Sequence, residues 1–274
     1  MKQAATKWTL LLSTLLFANL ATCVFATPQA FADEWSKTYN LTGKPDLRIE
    51  TSDANIRVTT WDQNTIEAKV TTIHAKIGEN GIRIEEHQNG DAVEIDVRFP
   101  HHNITVDWGQ HRVDVVIQMP REGKVDLRTG DGKIDINGLK GEMDLHSGDG
   151  SETLESVDGK LRAETGDGSI ETNGRFDEVD LKTGDGHLDV HAAAGSSLNE
   201  GWSLKTGDGN VSLLVPADIA ADVDLHTGDG HIDLDMPITT DGKMRKGEIH
   251  GKLNGGGSAL TIRTGDGSIH LGKS

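Results

Sequence analysis

The chain has 274 residues, with 44 acidic against 27 basic side chains for a formal net charge of −17, and only 4% of it is aromatic. Such a field repels nucleic acid and anionic membranes and favours cationic partners, while the shortage of aromatics weighs against stacking platforms for sugars or single-stranded nucleic acid. The one cysteine, Cys23, leaves nothing downstream for disulfides or thiolate metal sites, so packing and backbone pairing must hold the fold.

Residues 1–32 read as a secretory signal peptide. Lys2 and Lys7 give a positive start, Trp8 to Leu20 form an apolar run, and Ala30-Phe31-Ala32 fits a small-x-small cleavage site. The run is too short and too interrupted for a membrane span. Leu20-Ala21-Thr22-Cys23 also resembles a bacterial lipobox, which makes a lipid anchor through Cys23 an alternative to ordinary cleavage. Removal of the leader takes the charge from −17 to −19, because Lys2 and Lys7 are the only charged residues before position 33.

Residues 33–120 read as a strand-rich N-terminal part that supplies the first coils of a stack and caps it. Thr51-Ser52-Asp53-Ala54 is a worn copy of a motif that dominates residues 121–274. There the tetrad Thr/Ser-Gly-Asp-Gly begins at Thr129, Ser147, Thr165, Thr183, Thr206, Thr227 and Thr264, at steps of 18, 18, 18, 23, 21 and 37 residues. Repeats at a near-fixed period are the signature of solenoids and related arrays. An apolar residue stands two positions before each tetrad, at Leu127, Leu145, Ala163, Leu181, Leu204, Leu225 and Ile262. Pairs two apart follow it, such as Ile134/Ile136, Leu188/Val190, Val211/Leu213, Ile232/Leu234 and Ile269/Leu271, the alternation of half-buried strands. The inward parity switches from odd at Leu127 to even at Ile134, so each tetrad is a corner. Its glycines, led by Gly130, Gly148, Gly166, Gly184, Gly207, Gly228 and Gly265, are expected to take positive φ and let the chain bend.

Two architectures fit these strands. Asn137-Gly138, Asp158-Gly159 and Asn173-Gly174 are favoured hairpin dipeptides, which allows an antiparallel meander or a β-sandwich. Identical corners argue instead for an all-β solenoid with coils of about 18 residues, since only stacking makes every coil need the same corner. Stacking would line up Asp131, Asp149, Asp167, Asp185, Asp208, Asp229 and Asp266, at a cost of about 0.9 kcal/mol per neighbouring pair in water. The residue before each tetrad is Arg128, His146, Glu164, Lys182, Lys205, His226 or Arg263, so a mostly basic column would run beside the acidic one. A structural role for the aspartates, accepting hydrogen bonds from turn amides, is the simplest. Its rival is a calcium ladder, given that carboxylates and carbonyls suit that ion; the longer unit, single aspartate and basic neighbours depart from calcium-binding nonapeptide repeats.

Lys44-Pro45-Asp46-Leu47-Arg48-Ile49, the worn copy running on to Val58, Thr60 to Glu67, and the phrase Val113 to Pro120 resemble, in that order, bacterial "putative adhesin" domains of unknown function, related to head GIN adhesin domains. The resemblance runs from about Asp33 to the C-terminus. It implies a right-handed, single-stranded β-helix and transfers no catalytic or binding residue.

Nothing in the sequence isolates an active site. Of the 12 histidines, His146, His187, His191, His226, His231 and His270 fall in solvent-side slots where other copies carry Lys, Ser or Arg, which reads as exposed filler. His101, His102 and His111, near Asp107, are weak metal candidates, since adjacent strand residues face opposite ways. Gly-Asp-Gly is no phosphate loop, for no Gly-Lys-Ser/Thr follows it. Trp61, Trp108 and Trp202 are the best anchors of a binding face, and Gly255-Gly256-Gly257 reads as a flexible connection within the longest step. No cofactor and no enzyme activity are expected. The expected role is an exported, adhesin-like scaffold of the cell envelope that contacts polysaccharide or protein through an extended face. The alternatives are a periplasmic structural or envelope-stress component binding another envelope protein, and a polysaccharide-active β-helix enzyme.

Overall fold

The computed structural model describes residues 32–79, 81–100, 112–240 and 245–274. Most of the leader with Cys23, and the His101, His102, Asp107, Trp108 and His111 cluster, lie outside the described residues. Period-2 alternation governs the rest. In β4 (Thr65–Ile73), Ile66, Ala68, Val70 and Thr72 point inward and every other residue is half-exposed. Every element among the described residues is a strand, and no helix there is long and apolar enough to cross a membrane.

The central strands stack in parallel, residue i beside residue i+18. Ahead of the corners, β8 (Glu122–Thr129), β10 (Lys140–Ser147) and the C-terminal halves of β11 (Glu152–Thr165) and β12 (Ile170–Thr183) align Leu127, Leu145, Ala163 and Leu181. After the corners, β9 (Ile134–Asn137), the N-terminal halves of β11 and β12, and β13 (Leu188–Ala192) align Ile134, Glu152, Ile170 and Leu188. The inward apolar residues of both runs form one buried cluster. Parallel pairing overturns the meander and sandwich readings for the array. The Asn-Gly and Asp-Gly dipeptides make no hairpins there; a Cβ at Gly159 or Gly174 would lie 2.2 or 2.1 Å from a carbonyl oxygen of the adjacent coil. Gly159 and Gly174 answer to close packing between coils, and Gly138 and Gly159 also take positive φ, of 82° and 130°.

Antiparallel pairing is confined to the ends, where the order of coils in space departs from their order in sequence. At the first end, β2 (Asp46–Thr51) lies between β6 (Ala92–Arg98) and β8, and β3 (Asn55–Trp61) lies between β7 (Arg112–Pro120) and β9. There β5 (Arg83–Asn89) closes on β6, and β4 on β7, followed by β1 (Ala32–Asn40) on β4, all antiparallel. At the other end β14 (Trp202–Lys205) and β15 (Val211–Val215) pair with the last strands of the chain, β20 (Ala259–Thr264) and β21 (Ile269–Lys273). Outside these lie β16 (Ala221–Thr227) and β17 (Ile232–Leu234), parallel to β20 and β21. On β16 lies β19 (Glu248–Leu253) and on that β18 (Ile238–Thr240), both antiparallel. The edge strands left at the ends are short, as β17 and β18, or charged, as β5, which discourages pairing with foreign strands.

Candidate interaction surface at the corner ladder

The first residue of each tetrad organises the corner. Its hydroxyl is buried at Thr129, Ser147, Thr165, Thr183, Thr206, Thr227 and Thr264. Thr183 Oγ1 donates to the Gly168 carbonyl of the coil below at 2.8 Å and accepts the Gly186 N–H of its own corner at 3.2 Å. Thr206, Thr264, Thr227 and Ser147 repeat the pair of bonds. One hydroxyl thus closes the turn and ties it to the next coil, which meets the rule that buried polar groups are paired.

The glycines are required for space. A Cβ at Gly150, Gly186, Gly209 or Gly267 would lie 1.8 to 1.9 Å from the carbonyl oxygen of the neighbouring corner. At Gly148, Gly166, Gly184, Gly207, Gly228 and Gly265 the distance is 2.5 to 2.7 Å, and at Gly130 it is 2.1 Å from the Ser52 oxygen. None of these corner glycines is among the described glycines with positive φ, contrary to the sequence expectation. The bend is made with ordinary dihedrals, and the missing side chain admits the next backbone: Gly184 N–H reaches the Gly166 oxygen at 2.6 Å and Gly207 N–H the Gly184 oxygen at 2.6 Å.

Asp131, Asp149, Asp167, Asp185, Asp208, Asp266 and Asp229 stand exposed in that spatial order, with Asp53 of the worn copy before them. Among the described residues no hydrogen bond or ion pair is made by the side chains of the seven. The turn amides expected to bind them are taken by the Thr and Ser hydroxyls and by carbonyls of the coil below. At Asp53, partial burial and the like charge of Asp131 push the carboxyl above its ordinary value. The neighbouring column is in register as Arg128, His146, Glu164, Lys182, Lys205, Arg263 and His226. Three of its charges are paired: Arg128 with Asp126 at 2.9 Å, Arg263 with Asp224 at 2.9 Å, and Lys182 with Glu164 of the same column, whose carboxyl it holds below the usual carboxylate range. The aspartates themselves are exposed and enter no ion pair among the described residues, so they present their charge to solvent. Among the described residues no three His, Cys, Asp or Glu side chains converge as metal ligands.

Two features escape the repeat reading. After several of the corners runs a second ladder, in which a side chain of one coil accepts the backbone N–H of the next: Asn55 Oδ1 from Lys133 at 3.1 Å, Ser169 Oγ from His187 at 3.0 Å, His187 Nδ1 from Asn210 at 3.0 Å and Asn210 Oδ1 from Ser268 at 2.8 Å. His187 is thus an acceptor in this column and not filler; Ser, Asn and His interchange because each offers a lone pair. The second is Glu152, wholly buried with neither carboxyl oxygen bonded, in the column of Ile134, Ile170 and Leu188. Desolvation first, then the charges of Asp144 and Glu164, push its carboxyl up to about 8. Counting five residues on from each tetrad start finds it: that slot is apolar in every other copy.

Trp202 is buried, edge-on to Phe176 with ring centroids 6.2 Å apart, and its Nε1 donates to the Ser197 carbonyl at 3.2 Å. Trp61 Nε1 donates to the Thr65 carbonyl at 2.9 Å. Trp202 packs inside the array and offers no face, while Trp61 is half-exposed near the first end. Among the described residues, open hollows near 290 Å³ lie beside Arg57, Asp135 and Glu155, and near 340 Å³ beside Ser196, Asn199 and Asp218.

Residues 46–272 match the family described as Toastrack DUF4097. No curated protein matches the chain. Among solved structures, a "putative adhesin" from Bacteroides fragilis is 10% identical, covering 87% of this chain and 96% of its own, with a TM-score of 0.50. A "putative cell adhesion protein" from Clostridium sporogenes is 14% identical, covering 89% of this chain and 100% of its own, with a TM-score of 0.43. A "putative lipid binding protein" from Parabacteroides distasonis is 12% identical, covering 87% and 96%, with a TM-score of 0.40. The likeness to the Bacteroides fragilis protein is one of fold.

Proposed function

The chain belongs to the Toastrack family, and on that footing we propose that it is a non-enzymatic, adhesin-like binding scaffold of the bacterial cell envelope. Residues 1–32 direct its export, residues 33–120 begin and cap the array, and residues 121–274 carry the regular corners. The coils, about 18 residues long in the middle of the stack, turn in the right-handed sense that about 98% of parallel crossover connections take.

One observation carries the reading. The corners repeat the same exposed carboxylate on successive strands, spaced about 4.8 Å apart, and among the described residues none of the seven repeat aspartates has an ion partner. A rigid row of identical charges suits a partner that repeats its own cationic groups, a basic protein segment or an amine-bearing polysaccharide, because many weak contacts sum through multivalency.

Protease accessibility of the mature chain on intact against lysed cells tests the placement. Cleavage on intact cells, with the purified protein retained by a polycationic glycan and released by salt, is the expected result. Protection until lysis would favour the second reading, a periplasmic component that binds another envelope protein.

A further inference from the structure

The last coil of the chain is not the last coil of the stack. β20 and β21 fill a slot between β14–β15 and β16–β17, and both walls of that slot are remote in sequence from the coil that fills it. The filling is complete. Leu260, Ile262, Ile269 and Leu271 are wholly buried, Thr264 Oγ1 donates to the Gly209 carbonyl at 2.7 Å, and Thr227 Oγ1 donates to the Gly267 carbonyl at 2.6 Å. While residues 259–273 are out of the slot, β14 and β15 on one wall and β16 and β17 on the other are open parallel edges. Each carries half of a corner, the kind of edge that captures another strand.

The tether of the coil is a tight reversal. Asn254, Gly255 and Gly256 take φ of 47°, 91° and 89° in succession between β19 and β20. Asn254 Nδ2 pins it by donating to the carbonyls of Ala217 and Ile219 at 2.8 and 2.7 Å. A short connection in a left-handed conformation becomes an extended one at little cost when it is glycine-rich. The coil then reaches the equivalent slot of a neighbouring molecule and makes there every bond it makes at home.

We propose that the slot between β14–β15 and β16–β17 is a strand-acceptor site, and that its second occupant is the 259–273 coil of another copy of this chain. Exchange is reciprocal in a dimer and open-ended in a chain of molecules, and it would join whole corner ladders without any new interface chemistry.

Variants of the full-length mature protein test the exchange. Ser203 and Thr261 are register partners on β14 and β20, at the separation that a disulfide spans. The double variant Ser203→Cys/Thr261→Cys should close an intramolecular disulfide and remain a monomer under denaturing, non-reducing conditions. The single variants Ser203→Cys and Thr261→Cys, unfolded together and refolded, should give a cross-linked heterodimer whose yield rises with protein concentration. The same two proteins mixed without unfolding should give much less. Deleting Gly255 and Gly256, which denies the tether its reversal, should raise the dimer fraction of the otherwise unchanged chain several-fold. Refolded single variants that never cross-link at any concentration, together with a deletion variant that stays monomeric, would overturn the proposal. A double variant that cannot close its own disulfide would overturn the register on which it rests. Neither result bears on whether the ladder binds a cationic partner, so the two proposals stand or fall separately.

Discussion

At Glu152 a carboxyl group occupies a column otherwise built from Ile134, Ile170, Leu188, Val211 and Ile269. In the unfolded chain this group ionises near 4.5, and in the fold it holds its proton up to about 8. The native state therefore binds a proton that the unfolded state has released. The linkage is stabilising below about 4.5, decays as pH rises, and is spent near pH 8. Glu152→Leu should raise the melting temperature, by more at pH 8 than at pH 5, with a gain on the order of a few kcal/mol at the alkaline end. Thermal melts of both proteins across that range check it; equal slopes would mean the carboxyl is not buried as described. The corner offers a second contrast. Thr183→Val removes one bond to the next coil and one within the turn, and should cost about 1–3 kcal/mol in a urea titration. Asp185→Asn, at an exposed side chain without a partner, should leave stability almost unchanged. A larger loss for Asp185→Asn than for Thr183→Val would return the aspartate to the centre of the turn. The tetrad was legible because it recurs. Which of its members carries the bonds was not, since both a hydroxyl and a carboxylate can accept a turn amide.

At the scale of one coil, the controlling quantity is the distance to the coil below. The second glycine of each tetrad meets a carbonyl oxygen where its Cβ would be, at 1.9 Å for Gly186. Gly186→Ala must push two backbones apart, and a loss of at least about 1–3 kcal/mol is expected from overpacking. Denaturation of this variant checks it, and an unchanged midpoint would show that the coils part easily. Alternation and the parity switch at the corner made the strands readable, since the side-chain period of a strand is a local property. The use of glycine was misjudged because positive φ is also local, whereas contact with a residue 18 positions away is not. The post-tetrad ladder was hidden for the same reason: Ser169, His187 and Asn210 share no charge or shape, only a lone pair aimed at the next coil.

For the whole molecule, uncompensated charge is the dominant long-range force. With a net charge of −17 and the aspartates of the corner ladder unpaired, screening should stabilise the fold. The melting temperature of the mature chain should rise between about 10 and 150 mM sodium chloride, toward the shorter Debye length. Calcium should add no more than its ionic strength explains. A saturable, calcium-specific rise would establish the ladder as a metal site in spite of its spread geometry.

The sequence by itself determined that the chain is all-β and that the tetrads are corners, because both follow from alternation and repetition along the chain. It favoured stacked coils but left an antiparallel meander or sandwich open, and the parallel register was decided by the structure. It also placed the chain near its family by the order of its phrases. Only the tertiary structure decided the order of coils. The 37-residue step from Thr227 to Thr264 signalled extra chain, but not that β18 and β19 fold back antiparallel or that the final coil inserts one place inward. Every coil presents the same corner to both neighbours, so the repeat chemistry admits several orders of stacking. The choice among them falls to connection length and to the burial available in each slot, which exist only once the array has formed.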